Sequence, residues 1–476
     1  MFYLAGGEFL VDIGNIKETY KDFKKNYDYY KKIDKYYYGN TDKLHRANSL
    51  PNRSNARIYT NFMQKIVDTE AQYSFGNKVT YKALDEKHKE ALKYIDYYFK
   101  PLGAGYDDIA GKKLVEFHLG YEIKYINAKG QFRCKWVSPL EGSMAYDSYG
   151  DPQFFIYVHT KKELNEKNEY EIVDYIDVYD NDYVYYFDDK FQLLDTKAHN
   201  MGCLPVSDGV IDGVKYTEKN GYIEGDKTVY RTIKSLQDGL EQNLSDIVQE
   251  ITDFHNAILK TFGIGDLMDL TDEDGNVILD SYGNPIKKPP IQYDNDTLYF
   301  ADKDKQDAQW LIKEINDSFI KNTRDDIIDL IYVLTSHINV NEKMQSNTSG
   351  IALRSRLQEL EAKCKANEYA MENIIRARIE CLFNFLRLKD IGDFDPNLID
   401  IVFTPCVPQD ITTLADVISK IPHEVLSNET KRGMLPNVYG NVELEQKRID
   451  RETEASKPVV DLDQYMTHEE DENNEE

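Results

Sequence analysis

Acidic and amide side chains cluster in one short, glycine-containing segment, TDEDGNVILD. Asp272, Asp274 and Asn276 alternate as the first ligands of a calcium loop do, because Ca²⁺ prefers carboxylate and amide oxygens. A twelve-residue loop of that kind needs glycine at its sixth position and glutamate at its last, where this chain has Val277 and Gly283. An Asp-Gly dipeptide is also a common hairpin turn. We therefore predict a turn here and no metal site.

Other segments resemble catalytic motifs only in part. GAGYDD lacks the lysine of a phosphate-binding loop, AGKKL lacks the hydroxyl, and GIGDLMD lacks a third glycine and follows a helix, which argues against a packaging ATPase. The His-Glu dipeptides at 423 and 468 lack the second histidine of a zinc protease, and no G-x-S-x-G is present. Asp325 and Asp326 are adjacent on a predicted helix and point in different directions, which favours a solvated face over a two-metal pair. We predict no catalytic residue, no cofactor and no enzymatic activity.

The charge balance limits the partners that the protein can have. The 476 residues include 58 Lys and Arg against 84 Asp and Glu, a formal net charge of −26. This excludes a generic DNA-coating protein, because phosphate binding needs dense Lys and Arg, but it allows a protein that handles DNA without adhering to it. No apolar run approaches the roughly 18 residues of a membrane span. The start, MFYLAGGEFLVDIG, is too short and acidic for a secretory signal.

Cysteine usage indicates a reducing compartment. The count is odd, the residues are scattered, and no C-x-x-C occurs, so we interpret them as reduced thiols in a cytoplasmic setting. The five are Cys134, Cys203, Cys364, Cys381 and Cys406.

Apolar spacing divides the first half of the chain into helical and strand-rich regions. The first 50 residues are rich in Lys and Tyr and predict short solvated helices with an interaction surface. From Gly120 to about residue 195 the apolar period becomes two, which indicates strands, with a first hairpin turn at Asn127–Gly130. Three helices are predicted between these regions, over 55–74, 84–99 and 107–119.

The second half is dominated by three long helices, predicted over 229–259, 307–336 and 351–388. Each has one apolar stripe that must be buried, and the first two flank a Gly- and Pro-rich insert, so they form a natural antiparallel hairpin. The stripe of the third breaks at Asn367 and Arg378. Shorter helices are predicted over 410–420, 423–432 and 441–454. The acidic tail, 461–476, predicts disorder.

Three stretches occur in a characteristic order: NARIYTNFMQKIVDTEAQYSFGNKVTY, then NMGCLPVSDGV with the long helix that follows GYIEGDK, then NTSGIALRSRLQELEAKCKANEYAMENII. Together they resemble the portal proteins of tailed bacteriophages, in the form found in long-tailed phages of Gram-positive hosts. The Gly-x-x-Pro-Val strand before the stem helix and the Ser-Gly-x-Ala-Leu start of the helix behind the tunnel loop are similar to that family. IDGVKYTEKNGY replaces an expected Asn-rich stretch, and in the first 50 residues and the acidic tail we recognise no feature of the family.

The resemblance implies an α+β, ring-forming portal fold with a helical crown. It implies this division: 1–228 wing, 229–262 first stem helix, 263–306 clip, 307–337 second stem helix, 338–350 tunnel loop, 351–388 long wing helix, and 389–476 crown with the acidic tail. The tunnel-loop residues expected to face DNA are Asn339, Asn341, Lys343, Gln345 and Asn347. The clip residues expected to contact partners are Asp272, Asp274, Asn276, Tyr282, Asn284, Lys287 and Lys288.

The resemblance also implies partners and a location. A ring, typically of twelve copies, would sit at one capsid vertex and conduct double-stranded DNA during packaging and ejection. Its partners would be the terminase large subunit, a head–tail adaptor, and the major capsid and scaffolding proteins, with no membrane. The location would be the virion, preceded by the host cytoplasm. Twelve copies at −26 each would carry −312 formal charges, so the lumen would repel phosphates and let DNA slide.

Two functions other than that of a portal protein remain as alternatives. A helical scaffold or other structural virion protein would need sustained heptads, which the breaks at Asn367 and Arg378 and the preceding strand-rich body disfavour. A metal-dependent enzyme acting on nucleic acid would need a convergent carboxylate cluster, and none is visible in the sequence.

Overall fold

The computed structural model divides the chain into two compact units, Met1–Cys406 and Val407–Glu476. Among the residues described, no helix is both long and apolar enough to cross a membrane. The structure describes residues 11–45, 55–103, 105–164, 170–213, 217–219, 222–224, 226–253, 258–262, 268–272, 274–288, 307–311, 317–339, 350–406, 418–422, 425–433 and 442–455.

The chain begins with one long helix, α1 (Ile13–Tyr37), which Asp12 caps by accepting a backbone hydrogen bond. The prediction of short solvated helices here is wrong. Phe23, Tyr30 and Ile33 recur at helical spacing and are buried. Tyrosine carries a large apolar ring, so the tyrosines of this segment extend its apolar stripe. Counting tyrosine as a polar residue hides this stripe.

The three long helices are present as α5 (Val229–Asp253), α6 (Asp317–Leu334) and α7 (Gly350–Leu388). The third matches the predicted 351–388 almost residue for residue. The first two are shorter than predicted, because residues at their inner ends form strands instead.

The three shorter predicted helices are confirmed as α2 (Phe62–Phe75), α3 (Lys89–Phe99) and α4 (Tyr106–Phe117). The first starts later than predicted because the residues before it bond to α5 instead of to each other. The backbone N–H of Ile58 donates to Ser245 Oγ at 3.0 Å, and that of Thr60 donates to Glu241 Oε1 at 3.0 Å.

The strands predicted from Gly120 onward form two antiparallel sheets. In the three-stranded sheet, β2 lies between β3 and β9; its strands are β2 (Leu119–Ile126), β3 (Phe132–Val137) and β9 (Val206–Val210). The five-stranded sheet is a meander in chain order, with α1 against one face through Phe23. Its strands are β4 (Gly142–Tyr146), β5 (Pro152–Leu164), β6 (Tyr170–Tyr179), β7 (Tyr183–Phe187) and β8 (Leu193–Ala198).

Smaller elements complete the larger unit. One pair of strands brings distant parts of the chain together: β1 (Thr80–Ala83) with β16 (Ile399–Val402). Another closes a local hairpin: β10 (Thr217–Lys219) with β11 (Tyr222–Glu224). Among the described residues, 3₁₀ turns lie at Lys100–Leu102, Ile211–Gly213 and Pro396–Leu398.

The main hydrophobic core is built around α7. Met371, Ile374 and Leu382 of its predicted stripe are buried against α2, α4 and the three-stranded sheet. The strand β9 approaches so closely that a side chain at Gly209 would overlap Ile374. Packing against α2, α4 and the three-stranded sheet therefore supports the length of α7, since helix propensity alone rarely does.

In the smaller unit, Val442–Ala455 confirms the helix predicted over 441–454, Asn428–Gly433 confirms only the second half of the one predicted over 423–432, and residues 418–420 are helical within the one predicted over 410–420. Most of the third, predicted over 410–420, and the acidic tail lie outside the described residues.

Candidate functional site

The chain forms a long hairpin between α5 and α7. After α5, strand β12 (Ile258–Phe262) pairs antiparallel with β15 (Asp307–Leu311), and α6 then returns along α5. The stem helices predicted over 229–262 and 307–337 are therefore wrong at their inner ends, where each gives way to a strand. Apolar residues such as Ile258 fit a helical stripe and a short strand equally well, so spacing alone could not separate the two.

The described residues at the tip of this hairpin form a small antiparallel meander. Strand β13 (Met268–Asp269) pairs with β14 (Lys287–Lys288), and a middle segment between them is joined by two bridges, Thr271 to Val277 and Leu279 to Pro285. Two tight turns connect the three segments and lie at opposite ends of the middle one.

Each turn is organised by one aspartate. Asp272 Oδ1 accepts backbone N–H bonds from Asp274 at 3.1 Å and Asn276 at 2.8 Å. Asp280 Oδ1 accepts from Tyr282 at 2.8 Å and Asn284 at 2.9 Å. The turn predicted from Asp-Gly is confirmed, with Gly275 at φ 85°.

The same hydrogen bonds decide what these carboxylates can do. The backbone N–H groups, that of Asn276 foremost, lower the pKa of Asp272, and those of Asn284 and Tyr282 lower the pKa of Asp280. Both carboxylates therefore stay ionised while bonded to their own backbone. Within the part of the chain that the structure describes, no group of three or more metal-ligating side chains comes together.

The structure thus brings the predicted clip residues together on one tip. Asp272, Asp274 and Asn276 are exposed at one turn, and Tyr282 and Asn284 at the other. Lys287 and Lys288 form strand β14 beside them.

The tip also exposes apolar side chains. Three consecutive residues of the middle segment, Val277, Ile278 and Leu279, are exposed, although neighbours in a strand face opposite sides. Tyr282 is 88% exposed. A strand that is apolar on both faces is typical of one buried on both faces. Within the described part of the chain, neither face of this segment is covered, and exposed apolar surface of this kind is typical of a protein-interaction site.

Helices α5 and α6 also expose apolar side chains. α5 and α6 contact each other, yet Ile251, Phe319 and Val333 are each more than 60% exposed. Exposed apolar side chains that continue along one projection mark a protein-interaction surface.

The tunnel loop lies mostly outside the described residues, including Asn341, Lys343, Gln345 and Asn347. Asn339 is described, and its Nδ2 donates to Asp329 Oδ1 of α6 at 3.0 Å. The loop's entry is fixed by His337, a buried imidazole whose Nδ1 lies 2.7 Å from the carbonyl oxygen of Thr335.

A buried polar cluster ties α2 to α7 close to this entry. Glu70 of α2 bonds to two residues of α7, Lys363 Nζ at 2.8 Å and Asn367 Nδ2 at 2.9 Å. Burial opposes ionisation of Glu70, but Lys363, His337 and Asn367 outweigh it and lower its pKa. For His337, by contrast, burial itself lowers the pKa. Asn367, which interrupts the apolar stripe, is therefore an internal anchor.

A second buried network, which the sequence pattern did not predict, joins α7 to β2 and α4. Arg378 Nη2 lies 2.6 Å from Glu122 Oε2 of β2 and 2.9 Å from Asp107 Oδ1 of α4. Burial disfavours the charged form of Arg378, but the carboxylates of Glu122 and Asp107 outweigh this effect and raise the pKa of Arg378 above its usual value. One feature of the sequence could have indicated this network. Arg378 lies four positions from both Ile374 and Leu382, which places a charged residue on the apolar face of a long helix.

Comparison with known proteins identifies the family. The family model for phage portal protein, SPP1 Gp6-like, matches residues 16–459. Among solved structures, a chain described as the neck of an empty GTA particle computed with C6 symmetry is similar over 78% of this chain and 88% of that chain, at 10% identity and a TM-score of 0.41. No curated protein sequence matches significantly. Because the family model spans nearly the whole chain, this protein belongs to the SPP1 Gp6-like phage portal proteins, a family of structural virion components.

Proposed function

We propose that copies of this chain close into a ring at one capsid vertex, and that double-stranded DNA passes through the ring during packaging and ejection. One observation carries the proposal within the family assignment: the hairpin exposes apolar residues from stem to tip, including Ile251, Phe319 and Leu279. A head-to-tail contact that repeats around a closed ring would cover such a surface in every copy.

The described elements are compatible with the parts that we propose for the ring. α5 and α6 would form the stem, the strand pair and meander between them would belong to the clip, and α7 would be the long wing helix. We propose that the clip extends from about 258 to 311, a wider range than the 263–306 that the resemblance implies. The wing is 1–228, the tunnel loop 338–350 and the crown 389–476.

The clip is the docking site for the terminase large subunit and later for the head–tail adaptor. Its exposed turns present Asp272, Asp274 and Asn276 at one end and Tyr282 and Asn284 at the other, with Lys287 and Lys288 in the adjacent strand. Such a mixture of acidic, amide and aromatic groups suits a polar-rimmed protein interface.

Twelve copies would line the tunnel with an excess of acidic charge, which keeps DNA from adhering. The major capsid and scaffolding proteins would contact the outer part of the ring. The three stretches shared with portals of long-tailed phages of Gram-positive hosts point to a host of that type.

A charge reversal in the tunnel loop tests the conduit. Lys343 is the only cation within 338–350, so a ring would repeat it around the DNA as a belt of weak, salt-screened phosphate contacts. We expect Lys343→Glu to leave ring assembly and capsid incorporation intact while lowering the amount of packaged DNA or its retention. The DNA content of purified particles measures this.

Two further variants distinguish a contact between residue 343 and DNA from a general effect of the protein's charge. Lys343→Ala should have a milder effect than Lys343→Glu. Lys129→Glu makes the same change of charge on an exposed turn of the wing and should package normally. If Lys343→Glu packages DNA to wild-type length and yield, the loop does not contact DNA in transit.

A further inference from the structure

Two of the five cysteines meet in the fold although they are 178 positions apart. The Sγ atoms of Cys203 and Cys381 lie 3.0 Å from each other. Cys364, also buried and on the same helix as Cys381, instead contacts the carbonyl oxygen of Glu70 at 3.8 Å. The sequence, with its scattered thiols, gave no indication of this pair.

The two sulfur atoms are held in place by well-packed elements. Cys381 is buried on α7, and Cys203 lies in the short segment that leads into β9. β9 packs directly on α7 at Gly209. Met201, two residues before Cys203, is buried, and its backbone N–H donates to His199 Nδ1 at 3.2 Å. The proximity therefore follows from the packing of the wing.

The two thiols have different roles in any reaction. The hydrogen bond from Cys381 lowers the pKa of Cys203 against the opposing effect of burial, and Asn384 adds to the lowering. The same contact, together with burial, raises the pKa of Cys381. Cys203 is also the more accessible of the two. Because the thiolate is the nucleophile, Cys203 is the residue that a small oxidant would meet first.

We propose that Cys203 and Cys381 are a disulfide-forming pair, reduced in the host cytoplasm and oxidised once the protein is exposed outside the cell. The oxidant is a small disulfide, RSSR. The Cys203 thiolate attacks one sulfur of RSSR, forming a mixed disulfide and releasing RS⁻. Cys381 then loses its proton and attacks the Cys203 sulfur, releasing a second RS⁻. In balance, RSSR and two thiols become one protein disulfide and two RSH.

The geometry makes this oxidation local. The sulfur atoms need to approach by about 1 Å to reach bonding distance, which a small side-chain rotation can supply. The cross-link would close a covalent loop that contains α5, the clip, α6 and the tunnel loop. It would join α7 covalently to the segment before β9. Because a cross-link restricts the unfolded chain, it would also raise the stability of the folded protein.

Thiol counting on the full-length, assembled protein tests the proposal. Reduced protein, freed of reductant, is incubated folded with oxidised glutathione, then denatured and titrated with a thiol reagent. We expect the count to fall from five to three, with a Cys203–Cys381 peptide in the non-reduced digest. The oxidised chain should also migrate faster on a non-reducing gel and melt several degrees higher.

Matched variants assign the change to the pair. Cys364→Ser should still lose two thiols, because that residue is outside the pair. Cys203→Ser should lose none, and Cys381→Ser should stop at a glutathione adduct on Cys203. The proposal is overturned if wild-type protein keeps all five thiols, if glutathione remains on Cys203 unresolved, or if the recovered disulfide joins other cysteines.

Discussion

Replacing Arg378 with methionine should cost the protein about 3–5 kcal/mol of stability, the largest effect that we expect from a single substitution. The side chain is 1% exposed and forms paired hydrogen bonds with Glu122, which is fully buried. Methionine fills much of the same volume but leaves the Glu122 carboxylate buried without its main cation. The free energy of unfolding, from urea titration followed by circular dichroism, measures the loss.

Arg376 provides the matched control on the same helix. It is partly exposed and bonds to Glu372 one turn away at 2.6 Å, so Arg376→Met should cost no more than about 0.5 kcal/mol. Combining Arg378→Met with Glu122→Gln should recover part of the loss, because the stranded charge is removed. An Arg378→Met protein as stable as wild type would show that the network does not hold α7 to the wing.

Replacing Tyr282 with aspartate should leave a folded protein that no longer supports DNA-filled, tailed particles. Tyr282 is 88% exposed at the tip, next to other exposed apolar residues, and the proposed function places it in an interface. Tyrosines at the centre of such interfaces often contribute about 2 kcal/mol or more, and a ring repeats the loss in every copy. Complementation with the variant, followed by counting filled and tailed particles, measures the effect.

The chain contains its own control for this substitution. The tetrapeptide Asp-Ser-Tyr-Gly occurs at 147–150 and at 280–283, and both aspartates accept the same backbone hydrogen bonds. Tyr149 is 92% exposed, like Tyr282, but lies in the turn that joins β4 to β5 of the five-stranded sheet. Tyr149→Asp should therefore give normal particles. Equal yields of filled, tailed particles from the two variants would show that Tyr282 of the proposed clip does not take part in partner docking.

Local patterns predicted much of this fold. The 39-residue α7 was expected because Leu360, Met371 and Leu382 recur at helical spacing, and such a stripe must be buried wherever the helix packs. The hairpin turns were expected because Asp and Gly determine turn geometry within four or five residues. In both cases the physical cause lies within a short stretch of sequence.

The features that were missed depend on contacts between distant residues. Arg378 pairs with Glu122 across 256 positions, so its apparent interruption of the α7 stripe could not be recognised as a buried ion pair. The early end of α5 follows from the pairing of β12 with β15, which competes with a helix of similar apolar spacing. The exposure of Val277, Ile278 and Leu279 likewise depends on how the other described residues are arranged around them, which no short stretch of sequence determines.

Negative-stain electron microscopy of the purified full-length protein shows directly whether this chain assembles as a ring. We expect closed particles with a central hole, viewed end-on, with the α5–α6 hairpins forming a projection in side views. A monodisperse monomer at every protein concentration and salt concentration would contradict it.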